Sequence, residues 1–495
     1  MISERAHRRV RSERPLLNAQ RAPFPLACVQ GLVVRGYNMA FTRYIALNVT
    51  DAGAAKAFIG GLVPTITTAA PWAQRPSSTL NVAFTYRGLG SLGIAPDAAT
   101  LQSYFWTDGQ ADDHQPFVLG AAATAEAIGD VSVPTSQWRM DDGSFDVMLI
   151  VNAGALDVLE STAAALQSLA AGFEVFGTFD SQQLPFPNEN GVYFGYQDGI
   201  AEPIVPGIPR DPDGKQVALD PGFFVLGTAT GPALSVPVPG PPASQTLGRY
   251  GVFGSFRILE QDVPAFDAFL DANVPAFKTH FGITKDDVAR AALMAMLVGR
   301  WPNGQPLVLY PINGDTLPPE PNPGEVNNFE YAATPGYAGK TDPTGTVCPF
   351  GSHVRRANPR IPGESASLHR IMRRAMTYQL PYDAGDRSTG EVGLMGLFMC
   401  ASLKYQFDFV MQHWINGNDT LPIPTDVADP VIGTHPNPDT FTVRMPRPKP
   451  RWSMPISDFV FTRGSAYVFL PGIDGIRWIA DPADTAIGSC AWPNV

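Results

Sequence analysis

The sequence has few cysteines, and their spacing limits what they can do. Four occur in 495 residues, Cys28, Cys348, Cys400 and Cys490, and no two of them form a CxxC pair. This spacing argues against a zinc site, and so small a number in so long a chain argues against a disulfide framework. Cys348 and Cys400 have apolar neighbours and are predicted to be buried thiols.

Long apolar runs are also missing. No segment reaches the roughly 18 apolar residues of a membrane-spanning helix, so we expect no membrane partner. The segment 1–25 is basic and lacks the apolar stretch of a secretory signal. We therefore expect residues 1–25 to be a mobile basic tail and the protein to be cytoplasmic, with a secreted form left open.

Charged residues are scarce as well. They make up 16% of the chain, and the formal net charge is −11 with a pI near 5.1, which argues against nucleic acid as a partner. Apolar residues make up 44% of the chain, too many for a disordered protein. With 47 glycines and 48 prolines, the composition is that of a large, loop-rich globular protein.

The apolar pattern repeats one order of secondary structure twice along the chain. The first part predicts strands and helices in this order: strand 43–51, helix 52–66, strand 81–86, strand 145–154, helix 156–173. The second part restarts it: strand 249–262, helix 263–277, helix 287–301, then a strand running into a helix at 393–417. This order predicts an α+β protein of two similar halves with antiparallel sheets.

One histidine lies among arginines in the segment CPFGSHVRRANPR at 348–360. The seven histidines of the chain form no HxxxH or HExxH pattern, so a bound metal would have to bring most of its own ligands. A porphyrin does so, because its iron needs one axial protein ligand and its propionates pair with arginines. His353 followed by Arg355, Arg356 and Arg360 fits this need; the alternative is a basic surface patch.

A second segment, VYFGYQDGIAEP at 192–203, contains a carboxylate among apolar residues. Asp-Gly is common in tight turns, and a turn is the simplest interpretation of Asp198 and Gly199. Two aromatic residues and an isoleucine flank Asp198, however, and a carboxylate in such a setting is a candidate proton shuttle.

Together these segments resemble the dye-decolorizing peroxidases. GYQDG at 195–199 matches the GxxDG motif of that family, CPFGSHVRRANPR resembles its proximal histidine segment, and RIMRRAMTY at 370–378 resembles its distal arginine segment. Further similar segments keep the same order: VQGLVVRG at 29–36, NVAFTYRGLGSLG at 81–93, LVGRWPNGQPL at 297–307 and GLFMCASLKYQFDFVMQHWIN at 396–416. The resemblance covers about residues 29–420, and the chain length resembles the longer subgroups.

The resemblance implies a fold and a cofactor. It implies two ferredoxin-like halves with antiparallel sheets, of the dimeric α+β barrel type, with heme b in the C-terminal half. On this basis we expect the tail 1–25, an N-terminal domain at 26–215 that carries GxxDG, and a C-terminal heme-binding domain at 216–495.

The resemblance also implies a role for individual residues. His353 would be the axial iron ligand, Asp198 the distal acid–base residue, and Arg373 the distal arginine, with Arg374 as the alternative. The remaining implied cofactor contacts are Arg360 at a propionate, Phe398 in the distal pocket, Asp408 as hydrogen-bond partner of His353, Gly199 and Ile200. The strand reads GLFMC where the family often has GLLFxC, which leaves the register of Phe398 open.

The implied activity is a heme peroxidase that uses hydrogen peroxide to oxidise dyes, phenols and other aromatic donors by one-electron steps. Because large dyes cannot enter a closed pocket, Tyr378 and Trp414 resemble positions for oxidation at the surface; the alternative is that both are ordinary core aromatics. A heme carrier, a heme-processing (deferrochelatase-like) protein and a non-heme protein that binds an anionic metabolite are the competing interpretations. Asp198 together with Arg373 favours turnover, and a homodimer is left open.

Overall fold

Strands and helices alternate along the chain in the computed structural model, which describes residues 25–94, 115–185, 191–206, 218–228, 245–333, 337–360, 368–380, 390–417, 428–435, 439–445, 451–488 and 490. In these residues the strands are β1 (Phe41–Val49), β2 (Ser78–Phe84), β3 (Val147–Ala153), β4 (Phe173–Gln182), β5 (Val252–Gln261), β6 (Met372–Leu380), β7 (Glu391–Cys400), β8 (Asp439–Val443), β9 (Trp452–Ile456) and β10 (Val460–Leu470).

The helices lie mostly between strands of one half. The α-helices are Gly31–Val34, Ala52–Leu62, Tyr86–Ser91, Gln115–Leu119, Ala121–Ile128, Leu156–Leu169, Gln245–Gly248, Val263–Phe281, Asp286–Val298, His353–Ala357 and Ile473–Ala480. Short 3-10 turns occupy Leu26–Cys28, Val63–Thr65, Thr135–Gln137 and Pro221–Phe223, and two π-helical segments occupy Leu403–Asp408 and Val410–Ile415.

Local sequence explains where the main helices begin and end. The side chain of Asp51 accepts a hydrogen bond from the amide of Ala54, and the side chain of Asp262 does the same for Ala265, so each caps the first turn of its helix. The helix Val263–Phe281 ends at Gly282, which has a φ of +72° that favours glycine. Both helices were predicted from the sequence, and each follows the first strand of its half.

The sheet consists of two four-stranded units with the same order. Its strands follow β4-β1-β3-β2-β10-β5-β7-β6, and each pairing is antiparallel. When the strands of each unit are numbered by their order in the chain, both units have the order 4-1-3-2 across the sheet. This is the ferredoxin-like arrangement predicted from the resemblance. The two units join where Phe469 of β10 pairs with Phe84 of β2, so the predicted two sheets form one continuous sheet.

The two faces of the second unit have different neighbours. On the inner face, the ring of Phe256 lies 4.7 Å from that of Tyr44 in β1 and 6.5 Å from that of Phe179 in β4, so the two units share a core. Because side chains alternate along a strand, Ser255 and Arg257 point to the outer face. Phe407, from the first π-helical segment, covers that outer face over Arg257. The outer face therefore carries the functional residues described below.

The described ends of the chain are joined by a covalent bond. Cys28 and Cys490 form a disulfide with their Cα atoms 5.5 Å apart, across 462 residues of sequence. The expectation that the chain lacks structural disulfides is wrong for this pair, because distance in the sequence says nothing about distance in the fold. Cys348 and Cys400 are buried free thiols, as predicted.

Breaking this disulfide is expected to destabilise the protein. The bond closes a very long loop and restricts the unfolded chain, so its removal in Cys28→Ser should lower the free energy of unfolding by about 2–4 kcal/mol. Urea denaturation followed by fluorescence, with and without reductant, measures this. Reductant should lower the midpoint of the wild-type protein and leave that of the Cys28→Ser, Cys490→Ser double variant unchanged; equal wild-type midpoints in both conditions would contradict the prediction.

Candidate functional site

The loop that carries Asp198 turns sharply and is held by hydrogen bonds to neighbouring segments. Gly195 and Gly199 have φ angles of +85° and +69°, which favour glycine and turn the loop sharply. The amide of Gln197 donates to the carbonyl of Pro302 at 2.9 Å. Asp198 is exposed, and its Oδ1 accepts a hydrogen bond from the amide of Gly199 at 2.7 Å.

The aromatic residues beside Asp198 point away from it. Phe194 and Tyr196 are buried in the core, and the hydroxyl of Tyr196 donates to the carbonyl of Met294 at 3.0 Å. The sequence-based view that they enclose the carboxylate is therefore wrong, because they anchor the loop from beneath. Ile200 is half-buried against Gly304, where a Cβ would lie only 2.2 Å from Cδ1 of Ile200.

Arg373 lies beside this loop. It is on β6, half-buried, and its Nη2 donates to the carbonyl of Ala201 at 2.7 Å. Arg374 points elsewhere: it donates to the carbonyls of Leu32 and Val33 and forms an ion pair with Glu202 at 2.9 Å. Arg374 therefore holds the N-terminal segment, whereas Arg373 lies beside the loop and does not contact that segment through the bonds described here.

Phe398 is the cross-strand neighbour of Arg373. The register of β6 and β7 pairs these two residues directly, so their side chains lie on the same outer face. Phe398 is half-buried, and its ring lies 5.7 Å from that of Phe407. The shortened motif GLFMC therefore still places a phenylalanine beside the arginine.

Four arginines lie close enough to affect one another's charge: Arg300, Arg360, Arg370 and Arg373. Burial, followed by the positive charges of Arg360 and Arg373, lowers the pKa of Arg300 to about 9. Burial and the same two charges lower the pKa of Arg370 to about 10, although Glu202 opposes this. Burial also lowers the pKa of Arg360. Such a group of like charges favours the binding of an anion.

Arg360 is the member of this cluster that was predicted from the sequence. It has a φ of +48°, and its Cζ lies 4.0 Å from the ring centroid of Phe329. Its Nη1 donates to the carbonyls of Asn327 and Phe329, while its buried Nε has no hydrogen-bond partner. An N–H group left in this state is a donor available to an anionic ligand.

The other two arginines of the segment 348–360, Arg355 and Arg356, bind groups of the protein itself. Arg355 pairs with Asp342 at 3.0 Å and donates to the carbonyl of Cys348 at 2.7 Å. Arg356 donates to the carbonyls of Trp414, Ile415 and Gly417. The expectation that both line an anionic edge is wrong, because their side chains hold the surrounding loops in place.

His353 begins the short helix His353–Ala357 and has a buried carboxylate as partner. Its Nδ1 lies 2.9 Å from Oδ2 of Asp429, a fully buried residue whose Oδ1 accepts from the amides of Val431 and Ile432. Burial alone would raise the pKa of Asp429, but the charge and hydrogen bond of His353 and the charge of Arg356 hold it below its usual value. With Nδ1 engaged in this way, Nε2 is the nitrogen available to a metal ion.

Asp408, predicted as the partner of His353, has a different one. Its Oδ1 accepts a hydrogen bond from the hydroxyl of Tyr467 at 2.6 Å, and burial raises its pKa to about 7. The prediction is wrong because Asp408 points toward the outer face of β10 rather than toward the helix of His353. Asp429 was missed, and its position 76 residues after His353 left no local sequence signal for the pairing.

Tyr378 and Trp414 are both buried. Tyr378 is fully inaccessible, and its hydroxyl donates to Glu391; Trp414 is 4% exposed and packs edge-on against His369 and Phe409. A bulky dye therefore cannot touch either ring directly, and the prediction that they form a surface site is wrong in that respect.

The residues present fit a porphyrin. Among the described residues, no group of three or more His, Cys, Asp or Glu side chains forms a metal site, so an iron held by His353 would need further ligands of its own. The arginine cluster supplies donors for two carboxylates, and the unpartnered Nε of Arg360 is one of them.

Comparison with known proteins agrees with the resemblance to dye-decolorizing peroxidases seen in the sequence. No protein-family profile matches the chain. A dye-decolorizing peroxidase of Exidia glandulosa is 27% identical over 466 residues, which cover 90% of this chain and 85% of that protein. The "multifunctional dye peroxidase DyP2" of an Amycolatopsis species is 28% identical and covers 87% of this chain and 90% of its own length. The chain is thus similar to dye-decolorizing peroxidases over about nine-tenths of its length.

Solved structures of dye-decolorizing peroxidases have the same fold. That of an ancestral D-type enzyme matches with a TM-score of 0.74 at 25% identity and covers 92% of this chain and 99% of its own. The fungal peroxidase of Auricularia auricula-judae also has a TM-score of 0.74, at 24% identity, over 92% of this chain and 99% of its own. The likeness thus extends over nearly all of both chains, including the two ferredoxin-like units.

Proposed function

We propose that this protein is a dye-decolorizing peroxidase, a heme b enzyme that uses hydrogen peroxide to oxidise dyes, phenols and other aromatic donors by one-electron steps. One observation carries the proposal: Arg373 donates to Ala201, which ties the distal arginine to the loop of Asp198. A carboxylate and a guanidinium held in this way beside an anion-binding cluster are the groups that peroxide cleavage requires.

When bound, the heme would supply the iron for peroxide and the redox capacity for O–O cleavage. The chain's own groups would handle the protons and the charge. Asp198 would accept a proton from one peroxide oxygen and return it to the other, which leaves as water. Arg373 donates hydrogen bonds to the oxygen on which negative charge develops, and its positive charge favours the ionised form of Asp198.

His353 would hold the iron through Nε2. The negative charge of Asp429 would keep the proton on Nδ1 and make the imidazole a stronger donor to the metal. Arg360, with Arg300 and Arg370, would hold the propionates. Gly199, Ile200 and Phe398 would be further contacts of the cofactor.

We assign the cofactor to the C-terminal half, since His353, Arg360, Arg373 and Phe398 all follow β5 in the chain. The proposed domains remain 26–215 and 216–495, after the basic tail 1–25; the tail apart from residue 25, and the boundary near 215, lie outside the described residues. Bulky donors would pass electrons through protein groups, with Tyr378 and Trp414 as buried relays rather than contact residues.

Two features bear on the compartment. None of the helices in the described residues combines the length and apolarity needed to span a bilayer. The Cys28–Cys490 disulfide favours an oxidising compartment over the cytoplasm that we expected from the sequence. We therefore infer that the protein works outside the reducing cytosol.

The proposed function is tested by the absorption spectrum of the protein expressed with added heme. We expect a Soret band that changes on adding one equivalent of peroxide at about pH 4 and returns on adding a phenolic donor. A band that peroxide leaves unchanged would favour a heme carrier or a heme-processing protein. No Soret band would mean that the arginine cluster binds another anion, and the heme assignment would fail.

A further inference from the structure

The buried side-chain amide of Asn327 connects two arginines of the cluster, Arg300 and Arg360, to the loop of Asp198. Asn327 is 9% exposed, and its Nδ2 donates to the carbonyl of Ile200 at 2.9 Å. Its Oδ1 accepts from Nη2 of Arg300 at 2.8 Å and from Nη2 of Arg360 at 3.2 Å. One side chain thus contacts both the proposed propionate-binding arginines and the loop that carries the proposed acid–base residue.

The chemistry of the amide fits this place and fixes its orientation. Two guanidinium groups offer only N–H donors, so the group facing them has to be an acceptor, and the carbonyl of Ile200 requires a donor. An asparagine side chain supplies one of each. The reverse orientation would place an NH₂ group against two cations and a carbonyl against a carbonyl, so the observed one is strongly preferred.

Other contacts also hold the loop near Asp198, among them the hydrogen bond from Tyr196 to Met294. The amide of Gln197 donates to Pro302, and Arg373 donates to the carbonyl of Ala201. The bond from Asn327 to Ile200 lies between these two, two residues after Asp198. Since Asp198 is exposed and its carboxylate accepts a hydrogen bond from the adjacent amide of Gly199, the position of the carboxylate depends on these contacts of the loop backbone.

We propose that Asn327 is a positioning residue that couples the cofactor-binding arginines to the acid–base loop. When an anionic cofactor draws Arg360 and Arg300 into place, Asn327 moves with them and fixes the carbonyl of Ile200. Binding of the cofactor therefore orders the loop of Asp198, so that the carboxylate is placed for proton transfer only when the cofactor is bound. This coupling rests on the proposed function.

The test compares hydrogen exchange of the backbone amides at 195–201 in the heme-free and heme-loaded protein. In the wild-type protein, heme should slow exchange of the Gln197 amide. In Asn327→Leu, which loses both contacts, exchange in the heme-free protein should be about tenfold faster, the effect of one lost hydrogen bond to a neutral group, and heme should no longer slow it. The rate of reaction with peroxide should fall by about the same factor, with the KM for the reducing donor unchanged.

A second variant and a control separate positioning from folding. Asn327→Asp keeps the size and the acceptor atoms facing the arginines but loses the donor to Ile200, so it should loosen the loop without unfolding the protein. Asn328→Leu is the matched control. The side-chain amide of Asn328, the next residue, accepts a hydrogen bond from the hydroxyl of Tyr337 at 3.3 Å. Its replacement should change neither the exchange rate of the loop nor the rate of reaction with peroxide.

Unchanged exchange at Gln197 in both Asn327 variants would overturn the proposal. Faster exchange that heme slows as much as in the wild-type protein would refute the coupling and leave Asn327 as a structural residue. If the wild-type protein binds no heme, the proposed function fails and the coupling fails with it, whereas the exchange of the heme-free variants still decides whether Asn327 holds the loop.

Discussion

Replacing Asp198 by asparagine is expected to slow the reaction with hydrogen peroxide by about 10²–10⁴-fold, the usual contribution of a positioned acid–base group. Asparagine keeps the shape and can still accept from the amide of Gly199, but it cannot accept a proton from peroxide. Stopped-flow absorption of the heme-loaded protein mixed with peroxide measures the rate directly. The Soret band before mixing should be unchanged, since Asp198 is not proposed to hold the cofactor.

The pH dependence gives a second readout of the same variant. A free aspartate titrates near pH 3.9 and a free histidine near pH 6.5, so a carboxylate base stays ionised in a range where a histidine base is protonated. Turnover of dyes is therefore expected to be greatest below about pH 6. Asp141→Asn is the matched control, because Asp141 also accepts from a nearby loop amide, that of Gly143, and has no proposed part in the reaction. A full peroxide rate in Asp198→Asn would exclude Asp198 as the proton acceptor.

Replacing Asp429 by asparagine is expected to weaken heme binding, or the activity of the bound heme, by about 10–100-fold. Asparagine can still accept from the amides of Val431 and Ile432, so the local fold should survive, but the negative charge beside Nδ1 of His353 is lost. Titration of the heme-free protein with heme, followed at the Soret band, measures the affinity. A less basic imidazole should also raise the reduction potential of the bound iron.

The heme-free protein gives an independent check through its stability. The pKa of Asp429 is lower in the folded protein than in the unfolded chain, so its charge stabilises the fold above about pH 3.9. That contribution is lost as the pH falls through the depressed value. The stability difference between wild type and Asp429→Asn should therefore shrink as the pH falls below about pH 4 in urea denaturation. The same substitution in a His353→Gln chain should cost less; an equal cost would refute the pairing.

The sequence predicted the fold where the apolar pattern was strong. β1, β3 and β5 and the helices after them were placed to within a few residues because the strand and helix patterns were both visible, and Asp51 was visible as the cap of the first helix. β10 was not predicted, although it lies in the middle of the sheet between β2 and β5. Its sequence, VFTRGSAYVFL, interrupts the apolar run with Arg463, Gly464 and Ser465; Arg463 lies at a bulge, and Ser465 pairs with the buried Arg257. Tertiary contacts, not local preference, determine that strand.

The sequence proposed site residues only where a residue lies within a recognisable motif. Asp198, His353 and Arg373 each belong to a short segment with a characteristic order, and their roles stay predictions. Asp429 and Asn327 gave no such signal, since their side chains contact residues far along the chain. Asp408 was proposed as the partner of His353 because it lies on the helix that follows the GLFMC strand. That place on a helix does not show which group the carboxylate faces, and in the fold it faces Tyr467.

The Cys28–Cys490 bond changes the topology of the molecule as well as its stability. Between these two residues the chain is a closed covalent ring that passes once through each half. A protease that cuts the backbone at one place in this ring converts it into a linear molecule of unchanged composition, and the two halves stay linked. Two cuts, or one cut and a reductant, are needed to separate them. An enzyme working among secreted proteases would thus tolerate a nick in one of its long loops.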